Sequence, residues 1–264
     1  MNLKPIDFRH SRILITNDDG IHAPGIRVLE KIAHTLSDDV WVVAPEIEQS
    51  GASHSLTVRI PLRIRKLSSR RYAVNGTPTD SVLLGMLQIL KRRPPDIVLS
   101  GVNGGSNLAE DVGHSGTVAG AMEGLMLGAR AIALSQIISE KGPINWKAAL
   151  AYGPRVVRKL IEAPWASGVF VNVNFPNLAP EKVKGVIVTC QGRRQLQERI
   201  TEAFDPFGRP YYWIGAPRQD VPSKSKEPTD TYATTMGYVS VTPMHLDHSH
   251  KGMMRTLRTA FPSK

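Results

Sequence analysis

The sequence predicts an α/β fold, a doubly wound and mostly parallel sheet followed by an extended C-terminal arm. Three observations predict it. Short β-branched runs alternate with amphipathic helical stretches through the first half of the chain, which is the rhythm of a parallel sheet covered by helices. The runs end in loops rich in Gly, Asn and Ser. Residues 201–231 are rich in Pro, Gly, Lys and Asp without a steady period, as expected of an arm or loop rather than core.

Arg12–Thr16 (RILIT) reads as a buried strand, and Ile26, Leu29, Ile32, Ala33 and Leu36 then recur at helical spacing. Val40–Ala44 (VWVVA) is the second strand. Thr77-Pro78-Thr79-Asp80 has the marks of a helix start: Thr77 as N-cap, Pro78 at the first helical position, and Asp80 three residues after the cap. That helix runs to about Lys91, and Pro94-Pro95 prevents its continuation. Ile97–Leu99 begins another buried strand, Ser115–Gly128 forms a helix and Ala131–Leu134 a further strand. Beyond residue 145 the pattern loosens. It still places a helix over Trp146–Ile161, strands over Val169–Asn174, Val183–Thr189 and Tyr238–Thr242, and a closing helix over Lys251–Ala260.

The 264 residues suit one large domain or two small ones, and 41% apolar content is enough to bury a core. With 33 basic and 23 acidic side chains the formal charge is +10, which favours anionic partners: nucleic acid, a membrane surface or phosphorylated small molecules. Aromatics make up only 6% of the chain, too few for recognition built mainly on base stacking. One cysteine, Cys190, excludes an intramolecular disulfide and a cysteine-rich metal site; in GVIVTC it reads as a small core residue. MNLKPIDFRHSR is not followed by a continuous apolar stretch, and Arg130 interrupts the apolar segment Gly124–Ile138. The expectation is a soluble cytoplasmic protein without a signal peptide or membrane span.

In an open α/β sheet, ligands bind outside the carboxyl ends of the strands. The first strand ends in Asn17-Asp18-Asp19-Gly20, the second in a loop reaching Gln49-Ser50-Gly51-Ala52-Ser53, and the Ile97 strand in Ser100-Gly101-Val102-Asn103-Gly104-Gly105-Ser106-Asn107. One rim therefore collects two carboxylates, hydroxyls and amides, all oxygen donors of the kind that suits a hard cation such as Mg²⁺ or Mn²⁺. Asp18 and Asp19 converge only if the chain turns, which Gly20 permits. Taken alone, the same four residues also fit a solvated turn. The residue pattern leaves Ser50 and Ser53, and Asn103 and Asn107, equally eligible. Ser115-Gly116-Thr117 opens a helix whose free N–H groups suit phosphate oxygens, although no Gly-Lys-Ser/Thr follows and the loop is not a Walker loop. His22 and His54 lie in these loops and read as surface histidines; His245, His248 and His250 form a loose C-terminal cluster. The basic stretch Arg63–Arg71 alternates like an exposed strand face, and Lys91–Arg93 and Arg193-Arg194 are further solvated clusters.

Four segments in order, ILITNDDGIHAPGI, QSGASHSLT, VNGTPTD and PDIVLSGVNGGSNLAEDVGHSGTVAGAMEG, resemble the SurE survival-protein family of 5′/3′-nucleotidases. The resemblance is dense from Ile13 to Leu134. It continues more thinly through VNVNFP, YYWIG and GYVSVTPMH to about Asp247. It implies a single Rossmann-like domain over residues 1–264, with a core over about 11–200, an arm over about 201–247 and a final helix over about 251–260. The arm would be exchanged between subunits of a homodimer or homotetramer. Matched residue by residue, the family's ligands for one divalent cation per subunit, Mg²⁺ or Mn²⁺, fall on Asp18, Asp19, Ser50 and Asn103. Phosphate and nucleoside contacts fall on Asn107, Ser115, Gly116 and Thr117 and on the Gly76–Asp80 turn, with Thr77 and Asp80 as binding residues. One departure stands out: relatives often carry Pro-Asp-Arg-x-x-Ser-Gly where this chain has Pro45-Glu46-Ile47-Glu48-Gln49-Ser50-Gly51, so a basic residue is lost and acidic ones appear.

The implied reaction is hydrolysis of nucleoside 5′- and 3′-monophosphates by metal-activated water, with positioning and charge neutralisation supplying most of the rate. Asp19 is a catalytic candidate as well as a ligand. Asp230 and His245 are the candidate proton donors from the arm. Direct attack by Asp18 or Asp19 ranks below attack by water, because a carboxylate donating to a metal is a poor nucleophile. Two other classes compete. A receiver-type signalling module also has an acidic pair after its first strand, but needs an acceptor aspartate where this chain has Ser100 and Asn103. A nucleic-acid-binding protein would use the +10 charge and show steep salt dependence. The resemblance favours neither a membrane nor a specific nucleic acid as partner.

Overall fold

The computed structural model describes residues 2–3, 8–139, 142–196, 199–215, 218–220 and 227–261. The chain enters the sheet as β1 (Arg12–Thr16), passes through α1 (Pro24–His34) and returns as β2 (Asp39–Pro45). A hairpin of β3 (Ile64–Ser68) and β4 (Arg71–Val74) follows, then α2 (Pro78–Leu84), extended by one π turn over Gly85–Ile89. Next come β5 (Ile97–Gly104), α3 (Gly116–Met126), β6 (Arg130–Gln136), α4 (Lys147–Glu162) and β7 (Val169–Phe175). The last part holds β8 (Val186–Val188), an exposed hairpin of β9 (Arg199–Phe204) and β10 (Pro210–Gly215), α5 (Asp230–Thr235), β11 (Val239–His245) and α6 (Lys251–Ala260).

Among the described residues nine strands form one sheet in the order β8-β11-β7-β6-β5-β1-β2-β4-β3. From β4 to β7 every neighbouring pair is parallel, while β3 and β11 run antiparallel to β4 and β7. The chain winds from β1 to β2 and β4 on one side and through β5, β6 and β7 on the other. The switch point therefore lies between β1 and β5, where such sheets open a crevice at their carboxyl ends.

Alternation along the strands builds a core on each face. Ile13 and Ile15 of β1 pack with α1 and α4, through residues such as Ile26, Leu29, Val157 and Ile161. Leu14 faces the opposite layer of α2 and α3, with Val82, Met86, Val118 and Ala121. Glycines at four-residue spacing let α3 lie close on the sheet. A Cβ at Gly124 would come within 2.6 Å of Val98, and one at Gly120 within 2.7 Å of Ser100 and 2.8 Å of Thr16.

The predicted boundary of the arm, 201–247, is too wide. The exposed hairpin covers β9 and β10, but α5 is largely buried and β11 is inserted between β7 and β8. Residues 230–245 thus belong to the core, because Ala233, Val239 and Val241 are buried there. Residues 216–217 and 221–226 of the predicted arm lie outside the described residues. Among the described residues no helix is long and apolar enough to cross a membrane.

The amino ends of the central strands are tied by charge. The Arg12 Nε donates to Asp39 at 2.8 Å, the Trp41 Nε1 donates to the same carboxylate at 2.8 Å, and Arg70 and Arg93 each approach it to 3.7 Å. Arg12 and Arg70 also lie over the Trp41 ring, and Trp41 stacks on Tyr72.

Candidate active site

At the carboxyl end of β1 the chain turns at once. The Asn17 side-chain amide donates to the Gly20 carbonyl at 2.9 Å, and Gly20 takes φ +96°, a conformation that favours glycine. The turn is fastened to the loop after β2 by Ile21 N–H to the Pro45 carbonyl and Gln49 N–H to the Asp18 carbonyl, both 2.8 Å. These bonds set the adjacent carboxylates of Asp18 and Asp19 on one rim.

Asp18 is the inner of the two, only 4% exposed, and accepts the Thr117 hydroxyl at 2.5 Å. Asp19 is reached by the Gly104 N–H at 3.3 Å. Burial pushes both acids up, and it outweighs the Thr117 bonds to Asp18. Asp19 rises to about 6, first from burial and then from the Asp18 charge, with Glu48 adding to the repulsion. Among the described residues no basic side chain forms an ion pair with either carboxylate. Two like charges crowded without a partner are a feature that a bound cation relieves.

The other rim loops hold their serines and asparagines in different surroundings. Ser53 is committed elsewhere, its hydroxyl donating to the Gly113 carbonyl at 2.8 Å, whereas Ser50 donates only to Glu48 at 2.8 Å. Asn103 donates through Nδ2 to the Gly105 carbonyl at 3.0 Å. Asn107 is built into a buried amide network: Nδ2 donates to Ser135 at 2.8 Å, its N–H donates to Asn174, and its carbonyl accepts from Asn172 and Asn174. Asn107 thus holds the loop from below.

The start of α3 comes directly over Asp18. Ser115 caps the helix by accepting the Val118 N–H at 3.0 Å, and Thr117 bonds Asp18. Between them Gly116 leaves no room for a side chain, since a Cβ would lie 2.8 Å from the Asp18 Cβ and 3.1 Å from Oδ2. The structure therefore brings Ser115, Gly116 and Thr117 to the acidic pair.

This combination of folded core, acidic turn and helix start has a known counterpart. The family model of the survival protein SurE matches residues 13–198. The chain belongs to the SurE family. It is 55% identical over 250 residues to the 5′-nucleotidase SurE of Paramagnetospirillum magneticum, covering 95% of each chain. It is 52% identical over 252 residues to the 5′-nucleotidase SurE of Rhodopseudomonas palustris, covering 94% of this chain and 98% of that one. The crystal structure of the SurE protein from Aquifex aeolicus superposes with a TM-score of 0.81 at 42% identity, over 95% of this chain and 99% of the other.

Within this SurE chain the other candidate residues fall in different places. Thr77 and Asp80 form the capping box expected of them and are buried at the start of α2. Asp80 accepts the Thr77 N–H at 2.9 Å and the Thr57 N–H and hydroxyl at 3.0 and 2.7 Å, and Thr77 donates to the Ser55 carbonyl. Their polar atoms hold the end of the Ser50 loop down on α2. His245 is not on the rim at all. It ends β11, which is antiparallel to β7, and pairs with Val169 at the amino end of the parallel strands. Asp230 is on the rim: it accepts the N–H groups of Ala109, Gly192 and Thr231 at 3.0, 2.8 and 2.7 Å, and burial pushes it up.

Sequence reasoning missed three supporting side chains. Asn172 and Asn174 carry the amide network, and their signal was a pair of alternating amides in an otherwise apolar strand, VNVNF. The buried Glu123 of α3 meets His54 at 3.0 Å and fastens the middle of the Ser50 loop. Its signal was a lone acid on the apolar helix GTVAGAMEG.

Proposed function

We propose that this chain hydrolyses nucleoside 5′-monophosphates, and 3′-monophosphates as well, to nucleoside and phosphate with one divalent cation, Mg²⁺ or Mn²⁺, per subunit. The observation that carries the reading is the Asp18–Asp19 pair, raised chiefly by burial and set against the start of α3. The 5′-nucleotidase names of the close relatives support it.

The residues present fit a hard cation. Among the described residues no three His, Cys, Asp or Glu side chains gather round a point, so the two carboxylates need completion by neutral oxygens. Asp18, Asp19, Ser50 and Asn103 would hold the ion. When bound, it supplies the charge that polarises a phosphate oxygen and makes a water acidic enough to attack. The protein does the rest by placement. Thr117 fixes the inner carboxylate. Ser115 caps the first turn of α3 and Gly116 lets that turn lie against Asp18, so that the positive end of the helix dipole sits at the acidic pair. Asn107 and its amide partners keep the Gly-rich loop from moving as charge builds. The leaving nucleoside oxygen takes its proton from water, and Asp230, fully buried and accepting three N–H groups, is assigned the placing of the Ala109 and Gly192 loops on this rim. Replacement of Asp230 by Asn should lower kcat and leave cation affinity unchanged.

The same reading includes a homodimer or homotetramer assembled through the exposed β9–β10 hairpin. Phe204, Phe207, Tyr211, Tyr212, Trp213 and Ile214 are all exposed there, apolar side chains that a second copy of the chain would cover.

The test is phosphate release from a panel of nucleoside monophosphates with Mg²⁺, Mn²⁺ or EDTA, on the natural chain and Asp19→Ala. Release that needs the cation and Asp19 is expected. Equal activity in every arm would sink the proposal.

A further inference from the structure

The loop after β2 carries two glutamates, and the structure treats them differently. Glu46 is spent on Arg65, which donates to it through Nε at 2.9 Å and Nη2 at 2.5 Å. Glu48 forms no ion pair with a basic side chain among the described residues and accepts the Ser50 hydroxyl at 2.8 Å. Its charge is close enough to both Asp18 and Asp19 to add to the repulsion that raises them. The backbone holds it there. Glu46 N–H donates to the Val74 carbonyl at 2.7 Å on one side, and Gln49 N–H to the Asp18 carbonyl at 2.8 Å on the other. Between them the loop presses on Gly20, where a Cβ would lie 3.3 Å from the Ile47 carbonyl carbon.

A neutral hydroxyl can ligate a cation only through its lone pairs, so its proton has to point away and find an acceptor. A carboxylate is the strongest acceptor available, and bonding to it makes the hydroxyl oxygen a better donor to the ion. An acid that merely neighboured the site would add charge. An acid that accepts the Ser50 hydrogen bond also leaves the Oγ lone pairs free for a cation.

We propose that Glu48 is a positioning residue of the cation site: it accepts the Ser50 proton, orients Oγ toward the ion and strengthens cation binding through Ser50. The inference rests on the proposed cation site.

The experiment is Mn²⁺ titration by calorimetry, without substrate, on the natural chain, Glu48→Ala, Glu48→Gln, Ser50→Ala and the Glu48→Ala/Ser50→Ala double variant. Glu48 and Ser50 are exposed, and thermal unfolding of each variant without cation checks that the fold is kept. Glu48→Ala is expected to weaken Mn²⁺ binding about 10- to 100-fold. Glu48→Gln, which keeps an acceptor oxygen, should lose less. In the Ser50→Ala background the effect of Glu48→Ala should shrink markedly, because the partner through which Glu48 acts is gone. Unchanged affinity in Glu48→Ala overturns the proposal. So does a Glu48→Ala effect of full size in the Ser50→Ala background, which would leave Glu48 a charge acting at a distance. A natural chain that takes up neither Mn²⁺ nor Mg²⁺ overturns the cation site itself, and this role with it.

Discussion

The two ends of the central strands handle charge in opposite ways. At the amino ends Arg12, Arg70 and Arg93 surround Asp39, and at the carboxyl ends Asp18 and Asp19 stand side by side with Glu48 as a third acid near them. β1 links the two, with Arg12 at its start and Asp18 just past its end. The acids answer accordingly. Burial alone would raise Asp39, but the Arg12 and Trp41 hydrogen bonds and the charges of Arg12 and Arg70 prevail and hold it below the ordinary carboxylate value. Asp18 and Asp19 have hydrogen bonds from Thr117 and Gly104 but no basic side chain paired with them among the described residues, and burial raises both. The amino rim is complete as folded, while the carboxyl rim needs something from solution.

That contrast is open to direct attack. The largest effect is expected from Asp19→Ala, which should cut cation-dependent phosphate release by about three orders of magnitude while thermal unfolding without cation stays the same or improves. Gly116→Ala comes next: its new Cβ would displace Asp18, so kcat/KM should fall about 100-fold, with a stability loss of about 1–3 kcal/mol in denaturant unfolding. At the other rim Asp39→Asn should reverse the pattern, costing about 1–3 kcal/mol of stability and leaving kcat/KM unchanged. If Asp39→Asn abolished activity, the division of labour between the rims would fail.

A pH series sharpens it further. Asp19 titrates near 6 when folded and near its ordinary 3.8 when unfolded, so between these values the folded chain holds more proton. Its contribution is full below about 3.8 and is lost as pH rises through about 6. Without cation, the natural chain should therefore lose melting temperature from pH 4.5 to 6.5 relative to Asp19→Asn, and saturating Mn²⁺ should restore more at pH 7 than at pH 5. Asp39 acts the other way, stabilising above the ordinary carboxylate range and failing as pH falls through its lowered folded value. The smallest effect belongs to Arg93→Ala, whose exposed, longer ion pair should be worth no more than about 1 kcal/mol.

The central strands and their helices were legible because β1, β2, β5 and β6 are unbroken apolar runs between turn residues, and the α2 capping box is a local pattern. The β3–β4 hairpin was visible only as an alternation of basic residues, since much of it is solvent-facing. β11 was recognised as a strand but assigned to the arm, because its place between β7 and β8 depends on contacts across the whole chain. That misplacement carried His245 with it: a sequence does not state which way a returning strand runs. The acidic turn could be read from four adjacent residues. The surroundings of Ser50 and Ser53, or of Asn103 and Asn107, could not, because they depend on contacts with Gly113, Ser135 and Asn174 far along the chain.

The glycines of α3 have a consequence for precision. The helix rests on Val98 at Gly124 and on Thr16 and Ser100 at Gly120 before it reaches Asp18 at Gly116. It behaves like a ruler laid flat on the sheet, whose height at one end is set by what lies under the other. A single methyl inserted at Gly124, about 12 Å along the axis, would tilt the ruler and lift its tip from the acidic pair. The accuracy of this rim is thus kept partly in side chains the molecule does without, and far from any atom that touches a ligand.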